Sequence, residues 1–359
     1  MKIALLGDIA LIGKNDIRNS KEWKKRFSYV KGFLADYDYV IANLESPLTS
    51  KVKTIVPKSM HLRSDISNVE VLKYLGVNAV TLANNHMYDY GTQGLKETIE
   101  VLERNEIEWY GAFGKNLIIE DGESLISVSG FCCLSTGAAG LKKKNGINLL
   151  CLDSIKGQIK KDKEIGAYSI LSLHWGNVNC SYPSSEQIMI SRKILELKDN
   201  LTIHGHHTHC LEGIEVNKKG IISYSLGDFI FDTCVSINGK FCIKQMEKNL
   251  HSCILSIIVK NGEFFDYALN TVCDSGDEII FDSNESYIQD ISNRIKDSNT
   301  LEYQQIRSQE FINDRDIRAG KHNLKWFVSR CNYYSLISKL LSFQKKHKYK
   351  KVVNEFRFK

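Results

Sequence analysis

The segment "IHGHHTHC" (203–210) places four of the chain's ten histidines within eight positions, directly after an apolar run. Imidazole changes charge near neutral pH and is the commonest metal-ligating side chain, so this crowding asks for a chemical reason. Other candidates lie where short apolar runs end. "KIALLGD" ends at Asp8, "YVIANLE" at Asn43 and Glu45, "VNAVTLANNH" at Asn84, Asn85 and His86, and "AYSILSLH" at His174. Carboxylate, amide and imidazole form an N/O ligand set suited to Zn, Mn, Fe or Co rather than to a thiolate site. The H-x-H pair His207 and His209 can present two rings to one ion, and Asp8 or Glu45 can bridge two. Asn85 can ligate through its amide oxygen, which leaves the adjacent His86 free for acid–base work. Asp89, three residues on, can orient His86 through its other ring nitrogen. Each residue taken singly has an ordinary explanation: a hydrogen-bonded histidine, a turn aspartate, a loop asparagine. The joint pattern carries the reading. His61, His251, His322 and His347 fall outside it and read as surface histidines.

The runs themselves must position these groups. Residues 2–7, 39–45, 77–83, 167–174 and 200–205 read as short buried strands. Between them lie helical patterns. Gly94 to Glu106 puts Leu95, Ile99 and Leu102 on one face, and Ser185 to Lys198 does the same with Ile190, Ile194 and Leu197. Ser184 and Gln187 form an S-x-x-Q capping box before the second. Alternating covered strands and helices predict an α/β fold, in which ligands bind beyond the carboxyl ends of the strands. Asp121-Gly122 and Asn261-Gly262 read as hairpin turns, so antiparallel strands join the parallel ones in a mixed sheet or a two-sheet sandwich. "LKKKNG" (141–146) reads as an exposed loop, and a domain boundary is expected between 1–273 and a polar, helix-rich extension at 274–359.

The composition is that of a globular chain: 359 residues, 43% hydrophobic and 25% charged. Its ten cysteines form no C-x-x-C and several sit in apolar runs, as reduced, buried thiols do. No run of about 18 apolar residues suggests a membrane span, and the apolar start reads as a strand rather than a signal peptide. The expectation is a cytoplasmic protein. The net charge of +6 is unevenly spread, since residues 301–359 hold 14 Lys+Arg against 5 Asp+Glu. Within that tail, "NYYSLISKLLSFQKKHKYKK" (332–351) puts Tyr333, Ile337, Leu340 and Leu341 on one helical face before a lysine run. Such a helix either lies on an anionic membrane surface or packs on the body. The tail carries no nucleic-acid motif, so nucleic acid is not an expected partner.

In this order over about residues 1–270, "GDIAL", "IANLESPLT", "GVNAVTLANNHMYDYGTQGLKETIEVLERNEIEWYGA", "LHWGN", "IHGHHTH" and "GIISYSLGDFIFD" resemble the bacterial capsule-synthesis CapA family. That family is associated with poly-γ-glutamate capsules and is similar to the calcineurin-like metallophosphoesterases. The resemblance implies a four-layer α/β/β/α sandwich, here with a helical C-terminal extension. It implies metal ligation by Asp8, Glu45 as bridging carboxylate, Asn85, His174, His207 and His209, with His206 a substitute ligand or a ligand's partner. It implies one or two divalent ions of Mn, Fe or Zn, with His86 as general acid. Lys58 and Arg63, in "PKSMHLRSD", would hold an anionic polymer or phosphoester substrate. The implied activity is metal-dependent hydrolysis of an ester, phosphoester or γ-glutamyl bond by a metal-activated water. The alternative is a non-catalytic, metal-binding assembly protein working with other capsule-synthesis proteins. The chain departs from the pattern at Ala10, where catalytic members of the superfamily carry the histidine of D-x-H. It also has Asn177 and Val178 after "HWG", where an acidic residue is frequent, and Asp228 where asparagine is common.

Overall fold

The computed structural model describes residues 1–359 except 55, 57, 59, 123, 139, 141–145, 238, 240, 241, 320–332 and 359. Residues 141–145 of the loop expected at 141–146, and His322, therefore lie outside the described residues. The strands are β1 (Lys2–Ile9), β2 (Tyr39–Leu44), β3 (Ala79–Thr81), β4 (Glu108–Tyr110), β5 (Leu117–Glu120), β6 (Leu125–Cys132), β7 (Tyr168–His174) and β8 (Leu201–His206). They continue with β9 (Ile214–Asn217), β10 (Gly220–Ser223), β11 (Asp228–Ile230), β12 (Cys234–Val235), β13 (Cys242–Ile243), β14 (His251–Lys260), β15 (Glu263–Asp274) and β16 (Ile279–Phe281).

The first sheet has eight strands in the order β16-β15-β14-β1-β2-β3-β4, with β11 also pairing β1. The second has six, ordered β5-β6-β7-β8-β10-β9. Strands β1 to β4 run parallel, as do β6, β7, β8 and β10. Both expected hairpins form: β5 pairs β6 and β14 pairs β15, each antiparallel. At the second turn Asn261 and Gly262 have φ of 51° and 73°, the conformation that makes Asn-Gly a preferred two-residue hairpin turn.

The layers follow from which side chains meet. Ile3, Leu5, Ile41 and Leu255 of the first sheet share one apolar cluster with Ile126, Val128, Ile170 and Ile221 of the second. The two sheets therefore stack face to face. The outer face of the first sheet buries Leu72, Leu95 and Leu102 from helices Val69–Leu75 and Gly91–Arg104. The outer face of the second buries Ile155, Ile190 and Ile194 from helices Leu152–Glu164 and Ser185–Leu197. This is the α/β/β/α sandwich. Ser184 caps its helix as expected, with the Ser184–Gln187 box closed in both directions.

The boundary expected at 273/274 falls at the end of β15. β16 follows it and pairs with β15 in the first sheet, because Ile279 is apolar enough to extend the core. Helix Glu285–Ile295 then buries Ile288, Ile291 and Ile295. The final helix, Tyr333–Phe358, docks through Val352 and Phe356 against the cluster outside the second sheet. The apolar face expected for this helix is divided: Leu340 is 67% exposed, whereas Leu341 is half-buried and lines a cavity open to solvent. Among the described residues, no helix is long and apolar enough to cross a membrane.

Candidate metal centre

The strands bring their polar ends to one place. Asp8 lies near the end of β1, with its N–H donating to Gly227 O at 2.9 Å. Glu45 follows β2 and its N–H donates to Ile9 O at 2.8 Å. Asn84 brackets the loop after β3: its Nδ2 donates to Asn43 Oδ1 (3.0 Å) and Leu44 O (2.7 Å), and its Oδ1 accepts from the N–H groups of His86 and Met87. That leaves Asn85 turned toward the second sheet, where its Oδ1 lies 2.9 Å from His174 Nε2. His174 ends β7 and His206 ends β8.

The histidine-rich turn divides its labour. His204 Nε2 donates to Leu6 O at 2.8 Å, so this ring braces the two sheets. Gly205 is needed because a Cβ there would come within 1.9 Å of Tyr224 O. His206 Nδ1 lies 2.9 Å from Asp8 Oδ1, but off the line a hydrogen bond requires, and both its ring nitrogens lack a partner. His207 and His209 have φ of 93° and 58°. Such backbone is strained for histidine, by roughly 1–3 kcal/mol, and persists where neighbours hold it. Here the His207 N–H donates to Asp8 Oδ2 at 3.0 Å, and Asn249 Nδ2 donates to His209 O at 2.6 Å.

Two groups of side chains at this edge can each hold an ion. Glu45, His174 and His207 offer ligand atoms within 4.8 Å of one another, and so do Asp8, Glu45 and His209. Glu45 belongs to both, as a bridging carboxylate would. It is fully buried, and neither carboxylate oxygen has a hydrogen-bond partner. His207 Nδ1 is likewise buried without one. Buried charges without partners are costly, and a cation satisfies such atoms at once. The residues present therefore fit a divalent ion.

For Glu45, His174 and His207 the electrostatics point the same way. Burial, with Asp8 and Asp228 nearby, outweighs His209 and raises the Glu45 carboxyl well above the usual range. Burial also holds His174 and His207 well below the usual imidazole value, so both are neutral, the form that ligates metals. Burial favours a protonated Asp8, but the contact with His206 and the nearby His209 charge outweigh it and hold the carboxyl low. Against its own burial, His209 is pushed up to about 10 by Asp228 and Glu45.

His86 stands beside the ligand candidates. Its Nδ1 lies 2.6 Å from Asp89 Oδ2. Lys58 Nζ donates to Asn85 O (2.6 Å) and Asp89 Oδ1 (2.7 Å) and lies 3.1 Å from His86 Nδ1. Burial and the Lys58 charge lower His86 to about 4 despite Asp89. Lys58, Asn85, His86, His207 and His209 line a cavity of about 480 Å³. Arg63 is not among its lining residues; its Nη1 donates to Thr49 O at 3.3 Å instead.

Sequence reasoning gives three participants no role in the site, although it sees Asn43 at a strand end. Asn43 Nδ2 donates to Asp8 Oδ1 at 2.8 Å. Asp228 Oδ1 lies 2.8 Å from His209 Nδ1; its signal was an acid inside the apolar "SLGDFIFD". Lys345, from the last helix, also lines the cavity, and no local pattern marks it.

The family model of the bacterial capsule synthesis protein PGA_cap matches residues 2–233. The capsule biosynthesis protein CapA of Bacillus anthracis is 29% identical over 248 residues, covering 65% of this chain and 60% of that protein. The PGA biosynthesis protein CapA of Bacillus subtilis (strain 168) is 28% identical over 246 residues, covering 65% and 63%. The chain thus spans about three fifths of the length of these curated relatives. Among solved structures, a hypothetical protein from Thermus thermophilus superposes with a TM-score of 0.46 at 12% identity, covering 76% of this chain and 98% of that one. A 5'-nucleotidase precursor from the same organism gives 0.43 at 12%, covering 81% and 57%. Likenesses that loose transfer no residue roles. The matched segment contains every candidate ligand from Asp8 to His209 and most of both sheets. The chain belongs to the bacterial capsule synthesis family PGA_cap.

Proposed function

We propose that the protein is a metal-dependent hydrolase of capsule or poly-γ-glutamate biosynthesis, cleaving an ester, phosphoester or γ-glutamyl bond. The observation that carries this reading is the buried Glu45 carboxylate, without a hydrogen bond at either oxygen and shared by two potential ligand groups. Asp8, Glu45, Asn85, His174, His207 and His209 would hold one or two divalent ions of Mn, Fe or Zn. Such an ion polarises the scissile group and lowers the pKa of water from 15.7 to about 7.

The chain's own residues do the rest. Asn43 fixes one Asp8 oxygen and the His207 N–H the other. Asp228 holds His209 by Nδ1, leaving Nε2 toward Glu45. Asp89 orients His86 through Nδ1, so Nε2 is the atom that can pass a proton to a leaving group. A negatively charged substrate beside His86 raises its pKa and favours the protonated form. Lys58, tied to Asp89 and Asn85, supplies positive charge for that substrate.

One observation favours the alternative of a non-catalytic assembly protein. Ala10 is fully buried in a small apolar cluster with Met60, Leu62, Phe231 and Cys234, so the position where a histidine is expected supplies no donor.

The deciding experiment is turnover by protein loaded with Mn, Fe or Zn on an aryl phosphodiester, an alkyl phosphodiester and γ-glutamyl oligomers. Metal-dependent hydrolysis is expected. His86→Ala should retain metal and lose about 10²-fold or more on the alkyl ester, with a smaller loss on the aryl ester, whose leaving group needs no proton. Absence of hydrolysis by the metal-loaded wild type on all three would favour the assembly protein.

A further inference from the structure

The cavity over the candidate ligands has a wall from outside the family-matched segment. Phe311, Leu341, Ser342 and Lys345 contribute to it, all beyond residue 233, where the match ends. Among the described residues, three lysines line the cavity: Lys58, Lys244 and Lys345. Of its acids, Asp228 is engaged with His209 and Asp232 accepts from the N–H groups of Lys14 and Thr233. Lys58 is already paired with Asp89, so Lys244 and Lys345 are the further positive charges that the lining brings beside the candidate metal centre.

Lys345 is held for this purpose by its own helix. Lys345, Tyr349, Val352 and Phe356 stand at i, i+4, i+7 and i+11, one helical face. Tyr349, Val352 and Phe356 pack on the cluster outside the second sheet, so the docked face carries Lys345 into the cavity. Its Nζ donates to Gly137 O at 2.7 Å. An ammonium has three donors, and this carbonyl is neutral. We propose that Lys345 is an anion-binding residue which, with Lys58, recognises a negatively charged group, carboxylate or phosphate, adjoining the bond to be cleaved. Burial, with the Lys58 charge second, lowers the Lys345 amine to about 8. Two like charges sharing a half-buried space favour an anion between them.

This rests on the proposed hydrolase reading for the meaning of the site, but its test needs no turnover. Metal-loaded wild type, Lys345→Met, Lys345→Gln and Lys345→Arg are titrated calorimetrically with inorganic phosphate, tri-γ-glutamate, and tri-γ-glutamate amidated at every carboxyl. Wild type is expected to bind at least one anionic probe, more weakly as salt rises. Lys345→Met and Lys345→Gln should weaken that probe about 10-fold or more, Lys345→Arg should restore it to within about 3-fold, and metal content and binding of the neutral probe should not change. Loss confined to phosphate assigns a phosphoester, and loss confined to tri-γ-glutamate assigns a γ-glutamyl ligand. Equal affinities in wild type and both neutral variants, or no anion binding by wild type, overturns the inference. Anion binding through Lys345 without hydrolysis leaves it standing and removes only the hydrolase reading.

Discussion

His174 Nε2 lies 2.9 Å from Asn85 Oδ1, a contact between the last residue of β7 in one sheet and the loop after β3 in the other. Glu45 Oε1 is 3.6 Å from the same nitrogen. A group at this junction is best explained as a donor to a shared ion. His174→Ala and His207→Ala should each lower bound metal to less than half the wild-type content, because each removes a ligand atom. Cys210→Ala should leave it unchanged, since Cys210 is buried and its thiol is turned to Thr208 O. Elemental analysis of purified variants checks this, and full metal content in both histidine variants would refute the ligand set.

Asp228→Ala removes the carboxylate that fixes the His209 ring. Loss of such an outer partner typically weakens metal binding about 10- to 100-fold. Metal titration of the variant should show that loss with the sandwich intact by circular dichroism. Unchanged affinity would mean that His209 is oriented by something else.

The metal-free protein should be most stable near pH 6.5. Burial holds His174, His204 and His207 well below the ordinary 6.5, and His86 at about 4. Below pH 6.5 the unfolded chain binds more protons at these four sites, so stability falls on acidification, by up to about 1.4 kcal/mol per pH unit for each group. His209 acts oppositely. Its folded value of about 10 adds stability that is complete below pH 6.5 and lost as pH rises toward 10. Urea unfolding of chelator-treated protein at pH 5, 6.5 and 8.5 measures both arms, and a midpoint that does not drop between 6.5 and 5 contradicts the burial of neutral imidazoles.

Phe356 is 1% exposed although it stands three residues from the end of the sequence. Phe356→Ala should cost about 3 kcal/mol if the helix is integral to the core. Urea denaturation followed by tryptophan fluorescence reads this. A change below about 0.5 kcal/mol would show that the helix leaves the body readily and is free to meet a membrane surface.

The strands and their polar ends were legible in the sequence because buried parallel strands are uninterrupted apolar runs, and the first polar residue after each marks the sheet's carboxyl edge. Asp8, Glu45, His174 and His206 are placed by that logic alone. The capping box at Ser184 and the turn at Asn261-Gly262 are equally local. What stayed hidden depends on docking. Nothing near Arg63 says that its guanidinium will turn to Thr49 rather than to the cavity. Nothing near Lys345 says that its helix will bring it into the site, because the face that matters is chosen by Phe356 meeting a surface distant in sequence. The short β16, past the boundary expected near Asp274, was hidden for a related reason, since it is stabilised by pairing that its three residues do not announce.

The proposed donors are split between the two halves of the sandwich: Asp8, Glu45 and Asn85 come from the first sheet, and His174, His207 and His209 from the second. Neither half alone forms either complete ligand group. An ion that binds there stabilises only chains whose sheets have already stacked in register, so it rewards the finished topology and ignores its precursors. If the proposed ligand set is right, metallation would work as an inspection step at the end of folding, and a misassembled chain would also be an empty one.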